Sequence, residues 1–146
     1  VLNRRGLFEV IAARGGPGSG HFGILFCDVD DFKAVHDEHG HAVGDQVLVE
    51  VASRLIGLTR SDDLVARFGG DEFVVFCPEA DEGALTTLAQ RIEERMRAPL
   101  QTSNQPLTIK VSVGGATGRA GDDLDDLLAR ADQNMYGVKI HRRSRR

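Results

Sequence analysis

The 146-residue chain carries 18 Lys and Arg against 22 Asp and Glu, a formal net charge of -4, with 41% hydrophobic and 27% charged residues. That is ordinary globular composition, long enough for one domain with a real core, and it excludes a disordered chain. The acidic balance argues against a nucleic-acid binder, whose phosphate contacts call for a basic surface, and no apolar stretch approaches the roughly 20 residues that cross a bilayer.

Asn3 is placed to cap a first helix through Leu7, Phe8, Val10 and Ile11. The stretch Gly15-Gly16-Pro17-Gly18-Ser19-Gly20 ends it; without the Lys-Ser/Thr ending of a P-loop it reads as a surface connection. Phe22 to Cys27 is a continuous apolar run, as in a strand buried on both faces, and delivers Asp28-Val29-Asp30-Asp31 at its end. A helix is expected over about Gly44 to Leu58, with Val47, Leu48, Val51, Leu55 and Leu58 at helical spacing. Leu64 to Phe68 and Phe73 to Phe76 read as strands joined by a tight hairpin at Gly69-Gly70-Asp71-Glu72. Glu82 to Met96 is expected to be a helix broken before Pro99, Leu107 to Val113 a strand, and Leu124 to Val138 a final helix.

Cys27 and Cys77, each inside an apolar run, read as small buried hydrophobes in a reducing, cytoplasmic setting. The basic tail Arg142, Arg143, Arg145, Arg146 reads as a solvated terminus. With no signal peptide visible and Val rather than Met at position 1, residues 1–146 read as one domain excised from a longer cytoplasmic chain, whose parent could be membrane-anchored.

The predicted order gives a single α+β domain with a β-α-β-β-α-β, ferredoxin-like core, an antiparallel central sheet flanked by helices. In that topology the third core strand lies between the first and second. Asp28 and Asp30 are then expected beside the hairpin carrying Asp71 and Glu72. Clustered like charges need neutralising, and hard oxygen donors of this kind suit magnesium. On spacing alone, solvated turn acids explain the pattern equally well. His36, His39 and His41 admit a zinc reading, disfavoured because no Cys or fourth ligand stands near.

Four motifs in order now carry more weight: Asn3-Arg4-Arg5; Asp28-Val29-Asp30-Asp31-Phe32-Lys33 with Asp37, Gly40-His41 and Gly44-Asp45; Arg67-Phe68-Gly69-Gly70-Asp71-Glu72-Phe73; and Ala131-Asp132, Met135-Tyr136, Lys139 and Arg143. Together they resemble the GGDEF domain family of diguanylate cyclases over nearly the whole chain. The resemblance implies a nucleotidyl-cyclase-like fold and condensation of two GTP into cyclic di-GMP with release of pyrophosphate. It implies Mg2+ (or Mn2+), two ions per active site, and a homodimer with its active sites face to face.

The resemblance assigns Asp28, Asp71 and the Val29 carbonyl to the metals, and Glu72 to assisting them or deprotonating the attacking ribose 3′-hydroxyl. It gives the phosphates to the backbone N–H groups of Asp31 and Phe32 with Lys33, Lys139 and Arg143. Gly69 and Gly70 would let the backbone approach the triphosphate; His36, Asp45 and Leu48 would form the base pocket. His36 stands where the family usually has Asn, so the guanine contact is expected to differ; Arg142 and Ser144 replace a usual Gly and Asn. Arg60-Ser61-Asp62-Asp63 matches the family's Arg-x-x-Asp inhibitory site for cyclic di-GMP, and Arg91 falls where relatives place a second product-binding arginine. Fused sensor or phosphodiesterase domains are implied partners.

The alternative is a non-catalytic module that binds GTP or cyclic di-GMP and regulates a partner domain. A different nucleotidyl cyclase or polymerase-like palm shares the fold logic but lacks this motif set.

Overall fold

The computed structural model describes residues 1–16 and 20–144, with side chains as far as Arg142. Pro17, Gly18 and Ser19 of the glycine-rich connection, the side chains of Arg143 and Ser144, and Arg145 and Arg146 of the basic tail lie outside the described residues.

The elements are β1 (Leu2–Asn3), α1 (Arg4–Ala13), β2 (His21–Val29), α2 (Phe32–Leu58), β3 (Leu64–Arg67), β4 (Glu72–Pro78), α3 (Glu82–Met96), β5 (Val111–Arg119) and α4 (Leu124–Ser144). The sheet order is β1-β3-β4-β2-β5, with β4 antiparallel to β2 and β3, β5 antiparallel to β2, and β1 parallel to β3. The third of the four core strands therefore lies between the first and second, as the ferredoxin-like reading requires.

β2 is buried throughout from Phe22 because the sheet is covered on both sides. Phe22, Ile24 and Phe26 pack with Leu7 and Ile11 of α1 and Leu127, Leu128, Ala131 and Met135 of α4. Leu25, Cys27 and Val29 point the other way, into Val47, Val51 and Leu55 of α2 and Leu85, Ile92 and Met96 of α3. Both cysteines are buried and free, and burial, the leading cause, pushes both thiols up, so they stay protonated. Among the described residues no helix is long and apolar enough to cross a membrane.

Side-chain caps start two helices. Asn3 accepts from the Gly6 N–H at 2.7 Å to open α1, and Asp81 accepts from the Ala84 N–H at 2.8 Å to open α3. The other end of α3 is held by Arg54 of α2, whose guanidinium donates to the carbonyls of Arg95, Met96, Ala98 and Pro99 at 2.8–3.2 Å. That one side chain satisfies carbonyls which a helix end and the following turn leave open.

Three expectations are corrected. Helical structure begins at Phe32, twelve residues before Gly44, as two helices joined at Gly40, whose φ of 89° and ψ of 170° interrupt the spiral. Only glycine adopts that backbone cheaply, and the break hides the first helix from a periodicity count. The last strand is Val111–Arg119 rather than 107–113, with Leu107 making only an isolated bridge to Leu100. Its glycines obscure the alternation, yet one is required by packing. A Cβ on Gly114 would stand 2.0 Å from the Met135 nitrogen, so α4 crosses β5 backbone to backbone. Finally, α4 runs past Val138 to Ser144.

β5 lies at the edge of the sheet, and α4 side chains cover part of that edge. Asn134 Nδ2 donates to the Gly115 carbonyl at 2.8 Å, and Arg142 Nη1 to the Val111 carbonyl at 2.7 Å.

Candidate active site

The register places Asp28, near the end of β2, opposite Glu72, the first residue of β4. Directly opposite antiparallel residues share a face, here the one covered by α4. The intervening hairpin folds back on β2, the Val29 N–H donating to the Asp71 carbonyl at 3.2 Å. Its turn is closed by the Phe68 N–H on the Glu72 carbonyl at 2.8 Å. Arg67 clamps it, donating to the Gly69 carbonyl at 3.1 Å and the Gly70 carbonyl at 2.8 Å. The sequence reading gave Arg67 no role beyond membership of the motif.

Asp28 is 9% exposed. Its Oδ2 accepts from Lys139 Nζ at 2.7 Å, while Oδ1 is buried with no hydrogen-bond partner among the described residues. Burial, then the neighbouring Asp71 carboxyl, push Asp28 up to about 6 despite the opposing ammonium of Lys139. Burial opposes the charge on Lys139, but Asp28, Asp30 and Asp71 outweigh it and hold the ammonium above its ordinary value. Glu72 is also raised, by burial first and then by Asp28 and Asp132. Its carboxylate lies over Gly69, where a Cβ would come within 2.8 Å of Oε1; a Cβ on Gly70 would meet open space.

Asp30 does not join this cluster, contrary to expectation. Its side chain is 7% exposed and turns toward β5, accepting from Ser112 Oγ at 2.7 Å and Arg142 Nη1 at 2.9 Å. Arg142 also reaches Glu93 of α3 at 3.3 Å. Read from sequence as part of a solvated tail, Arg142 instead joins α4 to β5, α3 and the residue that follows β2. A contact spanning 112 residues leaves no local signal.

Asp31 opens α2 in the left-handed conformation, φ 55°, with its carbonyl accepting from the Ala34 N–H. Phe32 is a buried core residue, and Lys33 is exposed on the first turn. His36 packs between Phe32 and His41, both ring centroids 4.6 Å away. Its edge rests on Gly44, where a Cβ would fall 2.1 Å from Cδ2, and its buried Nε2 has no partner among the described residues. Past the Gly40 break, Asp45 is exposed and Leu48 is 5% exposed on the second half of α2. Arg143 carries its phosphate assignment on a side chain outside the described residues.

Asp28 and Asp71 bring two carboxylates together, one with a buried oxygen that has no hydrogen-bond partner among the described residues. Among the described residues no three His, Cys, Asp or Glu side chains form a metal cluster. Two carboxylates fit magnesium, which keeps waters and takes substrate phosphates rather than an all-protein cage.

Arg60, Asp63 and Arg91 gather elsewhere, around a cavity of about 740 Å³ that Arg14, Cys77, Pro78 and Leu88 also line. Arg60 and Asp63 form a local turn, the Arg60 N–H donating to Asp63 Oδ2 at 2.8 Å. They precede β3 and meet the last residues of β4, so this cavity lies at the opposite end of the strands from Glu72.

Comparison with known proteins agrees with this geometry. The family model described as "Diguanylate cyclase, GGDEF domain" matches residues 1–145. Similar curated proteins include the bifunctional diguanylate cyclase/cyclic di-GMP phosphodiesterase MucR of Pseudomonas aeruginosa, 40% identical over 119 residues, covering 81% of this chain and 17% of the relative. Diguanylate cyclase DosC of Escherichia coli is 33% identical over 150 residues, covering 99% of this chain and 33% of the relative. The chain thus spans a third or less of the length of these two relatives. Among solved structures, the GGDEF domain of YfiN (TpbB) from Pseudomonas aeruginosa superposes with a TM-score of 0.84 at 36% identity, covering 95% of this chain and 90% of the other. The GGDEF domain of DgcB from Caulobacter crescentus, in complex with c-di-GMP, gives 0.84 at 29% identity, covering 95% and 83%. Motifs, sheet topology, the juxtaposed acids and these matches agree: the chain belongs to the GGDEF domain family of diguanylate cyclases.

Proposed function

We propose that this domain condenses two GTP into cyclic di-GMP with release of two pyrophosphates, acting as a face-to-face homodimer within a longer chain that carries sensor or phosphodiesterase domains. The observation that carries it is the meeting of Asp28 with Asp71 and Glu72 at one sheet end, where a buried carboxylate oxygen has no hydrogen-bond partner among the described residues.

Asp28, Asp71 and the Val29 carbonyl would hold Mg2+ or Mn2+, which would neutralise charge on the phosphates and acidify the attacking hydroxyl. Glu72, its proton affinity raised, is suited to receive the proton from the ribose 3′-hydroxyl as that oxygen attacks the α-phosphate of the other subunit's nucleotide. Pyrophosphate leaves from the same phosphorus. Lys33, Lys139 and Arg143, with the N–H groups of Asp31 and Phe32, bind the terminal phosphates, as turn and helix-start amides do for anions. Gly70 leaves room for the triphosphate, and His36, Asp45 and Leu48 line the base. Incubation with GTP and magnesium, with the product identified by mass, tests this. A dimer that binds GTP but yields no cyclic di-GMP points to the regulatory-module reading.

The raised Asp28 gives a pH test. Between its ordinary value of 3.8 and about 6, the folded chain holds a proton that the unfolded chain releases. This site's contribution to stability therefore falls as pH rises through that window, and the charged pair is most strained above it. Manganese should accordingly raise the melting temperature more at about pH 7.5 than at about pH 5; equal shifts would remove Asp28 from the ligand set.

The cavity lined by Arg60, Asp63 and Arg91 supports their binding cyclic di-GMP, the ligand bound to DgcB. Charge-assisted contacts of Arg to phosphate are worth about 1.5–3 kcal/mol. Arg60→Ala should weaken product binding by at least about tenfold in calorimetry and relieve inhibition, leaving magnesium dependence unchanged. Equal affinities would reduce the motif to a surface turn.

A further inference from the structure

Among the described residues, Lys139 is a cation that engages the metal-assigned carboxylate itself. Its Nζ lies 2.7 Å from Asp28 Oδ2, with both side chains mostly buried, 15% and 12% exposed. The pairing joins residues 111 apart in sequence, so the end of α4 must be fixed for it to form. Arg142, three residues on, fixes that end through Asp30 and the Val111 carbonyl.

A buried carboxylate beside a second carboxylate needs a positive charge, and a lysine can supply one as a metal does. Lys139 takes Oδ2 and leaves Oδ1 to a metal, so the two cations would share one carboxylate and repel each other at short range. Lys139 also lies beside the position where nucleotide phosphates must sit under the proposed function.

We propose that Lys139 is a stand-in cation. It neutralises Asp28 while the site is empty, and leaves Asp28 for the incoming phosphates when nucleotide binds, so that divalent metal and nucleotide bind cooperatively rather than independently. This rests on the cyclase reading for the identity of the nucleotide, but not for the competition between lysine and metal. The coupling is thermodynamic and reciprocal: whatever draws Lys139 away from Asp28 tightens metal binding, and metal on Asp28 frees Lys139 for phosphate.

The test is manganese binding to the nucleotide-free protein, followed by calorimetry at about pH 8. Lys139→Met keeps the length of the stem and removes the charge. It should tighten manganese binding roughly tenfold, the effect of removing one close competing charge. Lys139→Gln provides a second variant should the methionine disturb folding, and melting curves verify both. Lys110→Met removes an exposed cation near the same sheet end and should change manganese affinity less than about twofold, which separates contact from net charge. A non-hydrolysable GTP analogue should then tighten manganese binding by a larger factor in the wild type than in Lys139→Met. Unchanged or weaker manganese binding in both Lys139 variants, or no measurable binding in any protein, overturns the inference. A chain that makes cyclic di-GMP with those results keeps its function and loses the stand-in. A chain that makes none while Lys139→Met binds manganese more tightly keeps the stand-in and loses the cyclase.

Discussion

Asp71→Asn is expected to lower cyclase turnover by a factor on the order of 100 or more while leaving the fold intact. The asparagine keeps the shape of the hairpin, whose closure depends on backbone bonds of Phe68, Val29 and Glu72 and on the Arg67 clamp, none of which uses the Asp71 carboxylate. What it removes is one of two carboxylates assigned to the metals. Because Asp71 raises Asp28 by proximity, losing its charge relieves repulsion in the metal-free protein, so the melting temperature should hold or rise. Turnover falls while the melting temperature does not, which a misfolded variant cannot reproduce. Turnover that survives with the same magnesium midpoint would exclude Asp71 from the ligand set.

Gly114→Ala should be the most damaging small substitution in the sheet. The added carbon would lie 2.0 Å from the Met135 nitrogen and 2.5 Å from the Asn134 carbonyl carbon, both backbone atoms of α4. No rotamer change relieves such an overlap; the helix must lift from β5. Overpacking typically costs about 1–3 kcal/mol, and a backbone clash belongs at or above the upper end. α4 also carries Lys139 and Arg142, so lifting it separates Lys139 from Asp28. Chemical denaturation should show a loss of at least about 3 kcal/mol, together with weakened nucleotide binding. Wild-type stability would mean that α4 slides along the strand without leaving it.

Gly114 also explains what the sequence could and could not convey. Elements with strong periodicity and no special backbone were legible: α3 matched its expected bounds, Asn3 capped α1, and the unbroken apolar run of β2 announced a strand covered on both faces. The order of those elements was enough to bring Asp28 to Glu72. β5 was misplaced because glycines chosen for close helix approach carry no alternation. The first half of α2 was missed because Gly40 interrupts its pattern. At the candidate site, the approach of Asp28 to the hairpin carrying Asp71 and Glu72 was readable from the order of elements, but the pairing of Asp28 with Lys139 was not. Asp30 resembles Asp28 in the one-dimensional text and differs only because Ser112 and Arg142 arrive from distant segments to take its oxygens. His36 was flagged as a departure; that its imidazole folds onto Gly44 depends on a glycine eight residues later.

The covered edge of β5 bears on how two such domains could meet. A nine-residue strand at a sheet margin ordinarily offers another chain a template for continuing the sheet, the usual route to uncontrolled polymerisation. Here Asn134 and Arg142 already occupy the outward carbonyls of Gly115 and Val111, so an approaching strand would have to break both bonds before forming its own. Sheet extension is thereby penalised.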